Sequence, residues 1–431
     1  MFQIPKGLFD IIPYPENEMW KVSYIWQYIE EVLKKITLDY NYLEIRTPIF
    51  EKTPLFLRGV GESSDIASKE LYTFNDKANR SMSLRPEGTA PVMRAFIENK
   101  MAYDRKIHKL FYIGPMFRYD RPQKGRYRQH HQFGIECIGS NDHKYDAEVI
   151  DMLLELFNRL KIKNLKLLIN SIGDLESRDN YKKALIDFLK PNFESLSKDS
   201  KERLSTNPLR ILDSKDPKDK EIIKKAPIIL DYLTKESKSR FENLLSTLDI
   251  LKIKYEVDPK LVRGLDYYDD TVFEIIREDL GAQNSLGGGG RYNKLLKSLE
   301  GEDLPGIGFA CGIERLIQTM LDQEIDIENK NVIFLHIIPL CEKGIDFSFL
   351  LAKELRHHKI SVECEKEVRK IQKSLSLANK LKAKYALIIG DNEMNEKKAL
   401  LKNLQTREQK EIPFDKLKLH LRDLYYKIKG K

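Results

Sequence analysis

Hydrophobic residues near the N-terminus recur at helical spacing. Trp20, Tyr24, Tyr28 and Val32 follow one another at four-residue steps within residues 18–38, and further Ile and Leu residues extend the same stripe. An apolar face of this kind predicts a long amphipathic helix.

Short apolar runs with strand-like composition follow this helix. Helical patterns lie between some of them, around 91–100 and 146–160. Strand-like runs at hairpin spacing, with the helices gathered elsewhere, predict an α+β fold with a mixed, largely antiparallel sheet. The predicted strands are 42–51, 81–85, 109–118, 131–139, 165–171 and 270–276.

The pattern changes twice further along the chain. From about 175 to 255 it consists of amphipathic helices rich in Lys, Asp and Ser, which we interpret as an inserted helical subdomain. The charged stretch 322–331 is typical of a linker. After it, apolar strand-like runs alternate with helices, so residues 331–431 are predicted to form an α/β domain with a largely parallel core. We therefore expect one domain at 1–325 and another at 331–431.

Composition narrows the class of protein. The chain has 431 residues, of which 41% are hydrophobic, so it can bury a large core and is not a disordered or fibrous protein. No run approaches the roughly 18 apolar residues of a membrane helix, and the N-terminus lacks the apolar run of a signal peptide. The four cysteines are far apart and form no CxxC pair, which favours reduced structural thiols over a metal site. A cytoplasmic protein without a membrane partner is expected.

Positive charge is concentrated at the C-terminal end. Residues 331–431 hold 22 Lys+Arg against 13 Asp+Glu, whereas the first 330 residues hold 52 against 53. The net charge of +8 therefore arises in the C-terminal segment. This asymmetry indicates a module that faces a polyanion such as RNA, although a lysine-rich solvated surface would have the same composition.

The most informative segment is 111–139, where two apolar, β-rich arms flank a basic loop. Because strand side chains alternate, Gln132 and Glu136 should point to one face of the sheet and Phe133 and Ile135 to the other. Guanidinium groups at the edge of a cleft bind phosphate, and a carboxylate deeper inside can hold an ammonium group or an imidazole N–H. The alternative is a solvated basic hairpin. The basic residues are Arg118, Arg121, Lys124, Arg126 and Arg128.

Two other segments carry candidate ligand-binding groups. In 84–89, a strand end runs into a helix and places Glu87 at the mouth of a cleft, where it suits an ammonium group; Thr89 could equally be only the helix N-cap. In 263–268, an arginine is combined with two tyrosines.

Glycines dominate two later segments. Four successive glycines in 286–296 let a backbone approach a ligand, or else form a flexible hairpin turn. The glycines of 305–316 do not have G-x-G-x-x-G spacing, and the chain contains no P-loop motif, so dinucleotide and P-loop sites are excluded. A glycine-rich strand that feeds a helix, with Arg315 on its first turn, would instead place a cation at a phosphate.

These elements, in this order, resemble class II aminoacyl-tRNA synthetases. Residues 46–51 resemble motif 1 of that class, the 111–139 hairpin resembles motif 2, and 306–316 resemble motif 3. Residues 261–268 and 287–296 are similar to the two sequence boxes particular to the histidyl-tRNA synthetase family. The resemblance covers nearly the whole chain.

The resemblance implies a fold and an assembly. It implies a class II antiparallel-sheet catalytic domain in 1–325, with the helical insertion at about 175–255, and a C-terminal α/β anticodon-binding domain in 331–431. It also implies a homodimer, because motif 1 in this class lies at a subunit interface.

The resemblance further implies an ATP site and catalytic residues. Arg118 should hold the α-phosphate and the histidine carboxylate, while Arg126 and Arg315 grip the outer phosphates. Arg263 should neutralise the α-phosphate, where related synthetases use a metal, and stabilise the pentavalent phosphorus by ~3 kcal/mol or more. Arg263 and Arg118 are thus the implied catalytic residues. Mg²⁺ is expected on the ATP phosphates, with no dedicated site in the protein.

For the amino acid, the resemblance implies a pocket that contacts both ends of histidine. Glu136 and Tyr268 should contact the two imidazole nitrogens, and a site that satisfies both nitrogens rejects analogues that lack one. The implied histidine-binding residues are Glu87, Thr89, Gln132, Glu136, Arg263, Tyr267, Tyr268 and Tyr292.

The chain departs from the family pattern at two positions. His130, in the ATP site, stands where the family usually has an aromatic residue that stacks on adenine, and Asp120 stands where Glu is common. An imidazole can still stack and Asp is merely shorter. For the implied tRNA partner, Arg121 and Gln123 are the residues expected at the acceptor end, and the basic C-terminal domain is expected at the anticodon.

Two other functions are compatible with parts of the sequence. A synthetase-like regulatory subunit of ATP phosphoribosyltransferase would not aminoacylate, but such proteins typically lose the boxes, arginines or C-terminal domain that are present here. A general RNA-binding protein would use the basic C-terminal segment, yet it would leave the predicted pocket residues without a role.

Overall fold

An eight-stranded sheet lies at the centre of the first of two units. The chain divides into Met1–Ile327 and Glu328–Lys431. The computed structural model describes residues 2–15, 17–61, 64, 66–123, 125–278 and 285–430.

The elements of the first unit are as follows. Its strands are β1 (Leu43–Glu44), β2 (Phe50–Lys52), β3 (Thr73–Asn75), β4 (Ser81–Leu84), β5 (His108–Phe117), β6 (Gln129–Ile138), β7 (Leu165–Ser171), β8 (Glu256–Val257), β9 (Asp269–Arg277), β10 (Ser285–Arg291) and β11 (Gly306–Gly312). Its α-helices are α1 (Ser23–Asp39), α2 (Thr53–Val60), α3 (Thr89–Glu98), α4 (His143–Arg159), α5 (Leu175–Leu189), α6 (Lys198–Thr206), α7 (Pro217–Ile223), α8 (Lys235–Ile250), α9 (Leu295–Ser298) and α10 (Ile313–Asp322). Short non-α helical segments occur at Met19–Lys21, Ile66–Glu70, Met101–Tyr103, Lys190–Ser195, Pro208–Ile211 and Ile229–Tyr232.

The main sheet is antiparallel except at its two edges. Its strand order is β1-β5-β6-β11-β10-β9-β7-β8. The edge pairs β1/β5 and β7/β8 are parallel and the pairs between them are antiparallel. Strands β2, β4 and β3 form a separate small sheet. The predicted α+β class and largely antiparallel sheet are confirmed.

Two predicted elements near the N-terminus have different bounds in the structure. The helix predicted over 18–38 begins only at Ser23, after a separate turn at Met19–Lys21. The single strand predicted over 42–51 is wrong: β1 and β2 belong to different sheets. Pro48 lies between them, and a residue without a backbone N–H cannot continue a strand ladder.

The two faces of β6 have opposite character, as their alternation predicted. Phe133, Ile135 and Cys137 are buried in the main hydrophobic core, with residues of α1, α4, α8 and α10. Gln132 and Glu136 therefore point to the other face. Helices cover one side of the sheet and leave the opposite side for polar groups.

The predicted helical insertion corresponds to α5–α8. It has an apolar core of its own, which includes Tyr181, Leu185 and Leu189 of α5 and Ile211. The same core buries Leu261 and Val272. Leu261 precedes the 263–268 loop and Val272 follows it. The insertion is thus packed directly against that loop.

The second unit is an α/β structure with a mixed sheet. Strands β12 (Leu335–Pro339), β13 (Val362–Cys364) and β14 (Tyr385–Ile389) are parallel, whereas β15 (Lys398–Asn403) and β16 (Gln409–Pro413) add antiparallel pairs, in the order β13-β12-β14-β15-β16. The α/β prediction is confirmed, but the core is parallel in only three strands. The helices are α11 (Glu342–His357), α12 (Ile371–Lys380), α13 (Asp391–Glu396) and α14 (Phe414–Ile428).

No helix in the described ranges is both long enough and apolar enough to cross a membrane.

Candidate active site

A polar cavity of about 840 Å³ lies over the face of the sheet opposite the main core. Its walls come from segments far apart in the sequence, including the hairpin β5–β6, the 263–268 loop, and strands β10 and β11. We call it the polar cavity. The predicted residues that line it are Glu87, Thr89, Arg118, Arg126, His130, Gln132, Glu136, Arg263, Tyr267, Tyr268, Tyr292 and Arg315.

Some predicted residues of the β5–β6 hairpin line the polar cavity and others do not. Arg118 donates a hydrogen bond through Nε to the Pro86 carbonyl (2.8 Å), and the Arg126 guanidinium is paired with Asp120 (3.1 Å). The two residues predicted for the tRNA acceptor end, Arg121 and Gln123, are exposed and do not line the cavity. The basic residue predicted at 124 lies outside the described residues.

Glu136 lies at the buried end of the cavity. It is 1% exposed and accepts a hydrogen bond from the Tyr292 hydroxyl. Burial raises the pKa of the Glu136 carboxyl to about 8. A carboxyl with this pKa can donate to an imidazole nitrogen when protonated and accept from an imidazole N–H when ionised.

The burial of Glu136 predicts a pH-dependent stability. Because its folded-state pKa of about 8 exceeds the unfolded value of 4.5, the folded chain binds more protons between these values, and its free energy of unfolding should fall as pH rises through that window. Glu136→Gln removes this titration. At about 1.4 kcal/mol per pH unit, the wild-type chain should lose about 2 kcal/mol or more relative to Glu136→Gln between pH 5 and 8. Urea unfolding at both pH values measures the difference; equal pH slopes would contradict it.

Glu87 has a structural role at the start of α3. Its two carboxylate oxygens accept hydrogen bonds from the backbone N–H groups of Thr89 (2.6 Å) and Ala90 (2.8 Å). The alternative in which Thr89 acts as N-cap is wrong, because α3 begins at Thr89 and the cap residue is Gly88. Burial raises the pKa of Glu87, against the effect of these N–H groups.

Arg263 lies in the polar cavity, with its guanidinium over Gly288 of β10. Its Nη1 is 3.3 Å from the Glu274 carboxylate, and its guanidinium lies 5.8 Å from the centre of the Tyr268 ring. Although burial works in the opposite direction, Glu274 raises the pKa of Arg263, which stays charged. Arg263 Nε is buried and has no hydrogen-bond partner among the described residues. The site therefore holds a donor that a ligand can use.

The glycines of β10 and β11 provide the space for these side chains. A Cβ at Gly288 would lie 2.8 Å from Arg263 Nη1, and a Cβ at Gly308 would lie 2.3 Å from a Glu136 carboxylate oxygen. The run 287–290 lies within β10, which is paired on both sides, so the alternative of a flexible hairpin turn is wrong. Only residues without a side chain allow this close approach.

The opposite end of the cavity is strongly cationic. Arg315, on the first turn of α10 as predicted, donates through Nη1 to the Ser285 carbonyl (2.6 Å). Burial and the charge of Arg126 lower the pKa of Arg315. Burial, together with the charge of Arg118, lowers the pKa of His130 to about 3, so its imidazole is neutral. The arrangement fits a polyanion beside a neutral ring that is able to stack.

Sequence reasoning missed part of the lining and one residue behind it. Glu314 lines the cavity and accepts hydrogen bonds from His131 through one carboxylate oxygen, and Glu274, outside the lining, pairs with Arg263. The insertion also contributes polar residues, although its Lys-, Asp- and Ser-rich sequence contains no motif. Those that line the cavity are Ser197, Lys198, Asp199, Arg203, Arg210, Asp213, Ser214, Lys215 and Asp216.

Comparison with known proteins gives consistent matches for both units. Residues 24–316 match the family model of histidyl-tRNA synthetase, and residues 335–424 match that of an anticodon-binding domain.

Individual relatives match over nearly their whole length. A histidine–tRNA ligase of Protochlamydia amoebophila is 52% identical over 96% of this chain and 98% of the relative. A histidine–tRNA ligase of Bacillus subtilis is 46% identical over 96% of this chain and 97% of the relative. The crystal structure of apo S. aureus histidyl-tRNA synthetase superposes with a TM-score of 0.82 at 40% identity, covering 98% of this chain and all of that one. The chain therefore belongs to the histidyl-tRNA synthetase family, as its motifs predicted.

Proposed function

We propose that the polar cavity activates L-histidine with ATP and that the chain then transfers the histidyl group to the 3′-terminal adenosine of tRNA(His). The observation that carries this assignment is the convergence of Glu136, Tyr268 and Arg263 on one cavity. The cationic end, with Arg126 and Arg315, suits a triphosphate, and the buried carboxyl end suits an imidazole.

In the first step, a histidine carboxylate oxygen attacks the α-phosphorus of ATP. A new O–P bond forms while the bond to the leaving pyrophosphate breaks in line. Arg263 and Arg118, the proposed catalytic residues, neutralise the charge that accumulates on the phosphoryl oxygens. In the second step, a ribose hydroxyl of the terminal adenosine attacks the histidyl carbonyl, and AMP leaves.

Histidine is proposed to bind through both of its ends. Glu87, Thr89 and Gln132 take the α-amino end, while Glu136 and Tyr268 contact the ring nitrogens. Tyr267 lies 4.7 Å from the Tyr268 ring and 6.0 Å from the Tyr292 ring, measured between ring centres. These tyrosines enclose a space that a planar ring can fill.

ATP is proposed to enter with Mg²⁺ on its phosphates. Within the described ranges, no group of three or more His, Cys, Asp or Glu side chains is arranged to hold a metal ion. We propose that the metal arrives with the substrate, as Mg·ATP. His130 is proposed to stack on adenine, since a neutral imidazole adds no further charge between Arg118 and Arg315.

Both units are proposed to contact tRNA. We assign catalysis to residues 1–325, including the insertion, and anticodon binding to residues 331–431, whose charge is +9 by the counts above. Arg121 and Gln123, exposed on the motif 2 loop, are proposed to meet the acceptor end. We also propose that the chain forms a homodimer with motif 1 at the subunit interface. Its proposed location is the cytoplasm.

The amino acid specificity can be tested directly. Histidine-dependent exchange of pyrophosphate into ATP should be strong, and none of the other nineteen amino acids should drive it at a comparable rate, because a pocket with buried polar groups rejects ligands that leave them unpaired. Equal exchange with a second amino acid would contradict the histidine assignment. A chain that bound ATP without any exchange would instead support the regulatory alternative.

A further inference from the structure

Side chains of the helical insertion are hydrogen-bonded to the 263–268 loop. Three insertion side chains donate hydrogen bonds to three different residues of this loop, whose first residue is Arg263. The bonds run from Arg178 to the Tyr268 carbonyl (3.0 Å), from Asn207 to the Asp266 carboxylate (2.7 Å) and from Arg210 to the Gly264 carbonyl (2.8 Å).

Apolar packing holds the same loop at both ends. Leu261 precedes the loop, Val272 follows it, and both are buried in the apolar core of the insertion. The partly buried Val262 and Tyr268 pack against this core. The conformation of the loop therefore depends on the insertion as well as on the main sheet.

Asn207 lies on a well-anchored part of the insertion. It is the C-cap residue of α6, a helix whose N-terminal end is fixed by the buried carboxylate of Asp219. That carboxylate accepts hydrogen bonds from the Ser197 and Ser200 hydroxyls (both 2.6 Å). A side chain held in this way can impose a position on its partner.

Asp266 is confined on its other side by the end of α2. A Cβ at Gly61 would lie 2.3 Å from an Asp266 carboxylate oxygen, so the two segments are in close contact. Neither Asn207 nor Asp266 lines the polar cavity. Any effect of this pair on the reaction is therefore indirect.

We propose that Asn207 is a positioning residue for Arg263, and that the insertion acts as a brace for the catalytic loop. The inference rests on the catalytic role proposed above for Arg263. Among the residues that the structure describes, the Arg263 guanidinium is ion-paired with Glu274 alone (3.3 Å), so its placement over the reacting phosphorus depends on the backbone that carries it. A displacement of about 1 Å can cost on the order of a hundredfold in rate.

The test compares two asparagines of the insertion. Asn207→Ala should lower kcat of histidine-dependent exchange by about ten- to a hundredfold and leave KM for ATP within about twofold. The matched control is Asn192→Ala, which removes a hydrogen bond to the Phe188 carbonyl within the insertion (3.2 Å) and should leave exchange unchanged. Asn207→Asp keeps the size of the side chain but removes the donor, and it should reproduce the loss if Asn207→Ala folds poorly.

A double-mutant cycle then shows whether Asn207 acts through Arg263. In an Arg263→Ala background, Asn207→Ala should cause no further loss, because the group that it positions is absent. The proposal would be overturned if Asn207→Ala lowered kcat in the Arg263→Ala background by the same factor as in the otherwise unchanged chain. It would also be overturned if the Asn207→Ala chain were as active as the Asn192→Ala chain. In either case a strongly impaired Arg263→Ala would leave the role of Arg263 intact. A fully active Arg263→Ala would overturn that role and the brace with it.

Discussion

Arg263→Ala should lower histidine-dependent ATP–pyrophosphate exchange by about 10²–10³-fold, the loss typical of removing one preorganised donor from a transition state. Arg263 is held in the cavity by Glu274, and its Nε has no partner among the described residues. ATP affinity, which we propose depends on Arg126 and Arg315 at the other end, should change little. Steady-state exchange, with ATP binding measured separately by calorimetry, tests both parts.

The control for this variant is Arg80→Ala. Arg80 is 67% exposed, pairs with Asp76 and does not line the polar cavity, so exchange should be unaffected. If Arg263→Ala weakened ATP binding as much as it slowed exchange, the residue would serve ground-state binding, and the assignment of Arg263 as catalytic would be wrong.

Arg291→Ala should destabilise the fold by about 3–5 kcal/mol, the cost of leaving a buried carboxylate without its partner. Arg291 and Asp146 are both fully buried. The guanidinium donates to both oxygens of Asp146 (2.7 Å each for the shortest bonds) and to the carbonyls of Ser140 (2.9 Å) and Asp142 (3.0 Å). It thereby joins the end of β10 to the start of α4.

Chemical denaturation provides the measurement for this prediction. Arg159→Ala is the matched control, because Arg159, also on α4, pairs with Asp39 and Glu155 at the surface, and such pairs contribute about 1 kcal/mol or less. The double replacement Arg291→Met with Asp146→Leu should cost less than Arg291→Ala, since it removes both members of the ion pair. If Arg291→Ala lowered the free energy of unfolding as little as Arg159→Ala does, the prediction would be wrong.

Much of the site could be predicted because local pattern and chemistry agree there. The alternation along β6 separates Phe133 and Ile135, in the core, from Glu136, in the cavity. The strand-to-helix transition before Arg315 follows directly from glycines that precede an amphipathic run. At these positions the residue type and the local period are sufficient to predict the placement.

Other features depend on tertiary contacts that no local pattern carries. Thr89 has the right chemistry for an N-cap, yet the Glu87 carboxylate takes the first free N–H groups of α3 because the preceding chain directs it there. The three bonds from the insertion to the 263–268 loop join residues 54, 59 and 90 positions apart in sequence. Asn207 belongs to no motif, and only the fold brings it to Asp266.

The glycines beneath Arg263 and Glu136 have a consequence for inhibitors. A compound bound there would contact the main chain of Gly288 and Gly308 together with the Arg263 and Glu136 side chains that lie over them. Resistance by substitution at these two positions is restricted, since an added methyl group at Gly308 would lie 2.2 Å from the Ile135 carbonyl and one at Gly288 would lie 2.7 Å from the Phe273 carbonyl. Escape from such a compound would have to arise at the rim of the cavity, where side chains can vary without forcing the strands apart.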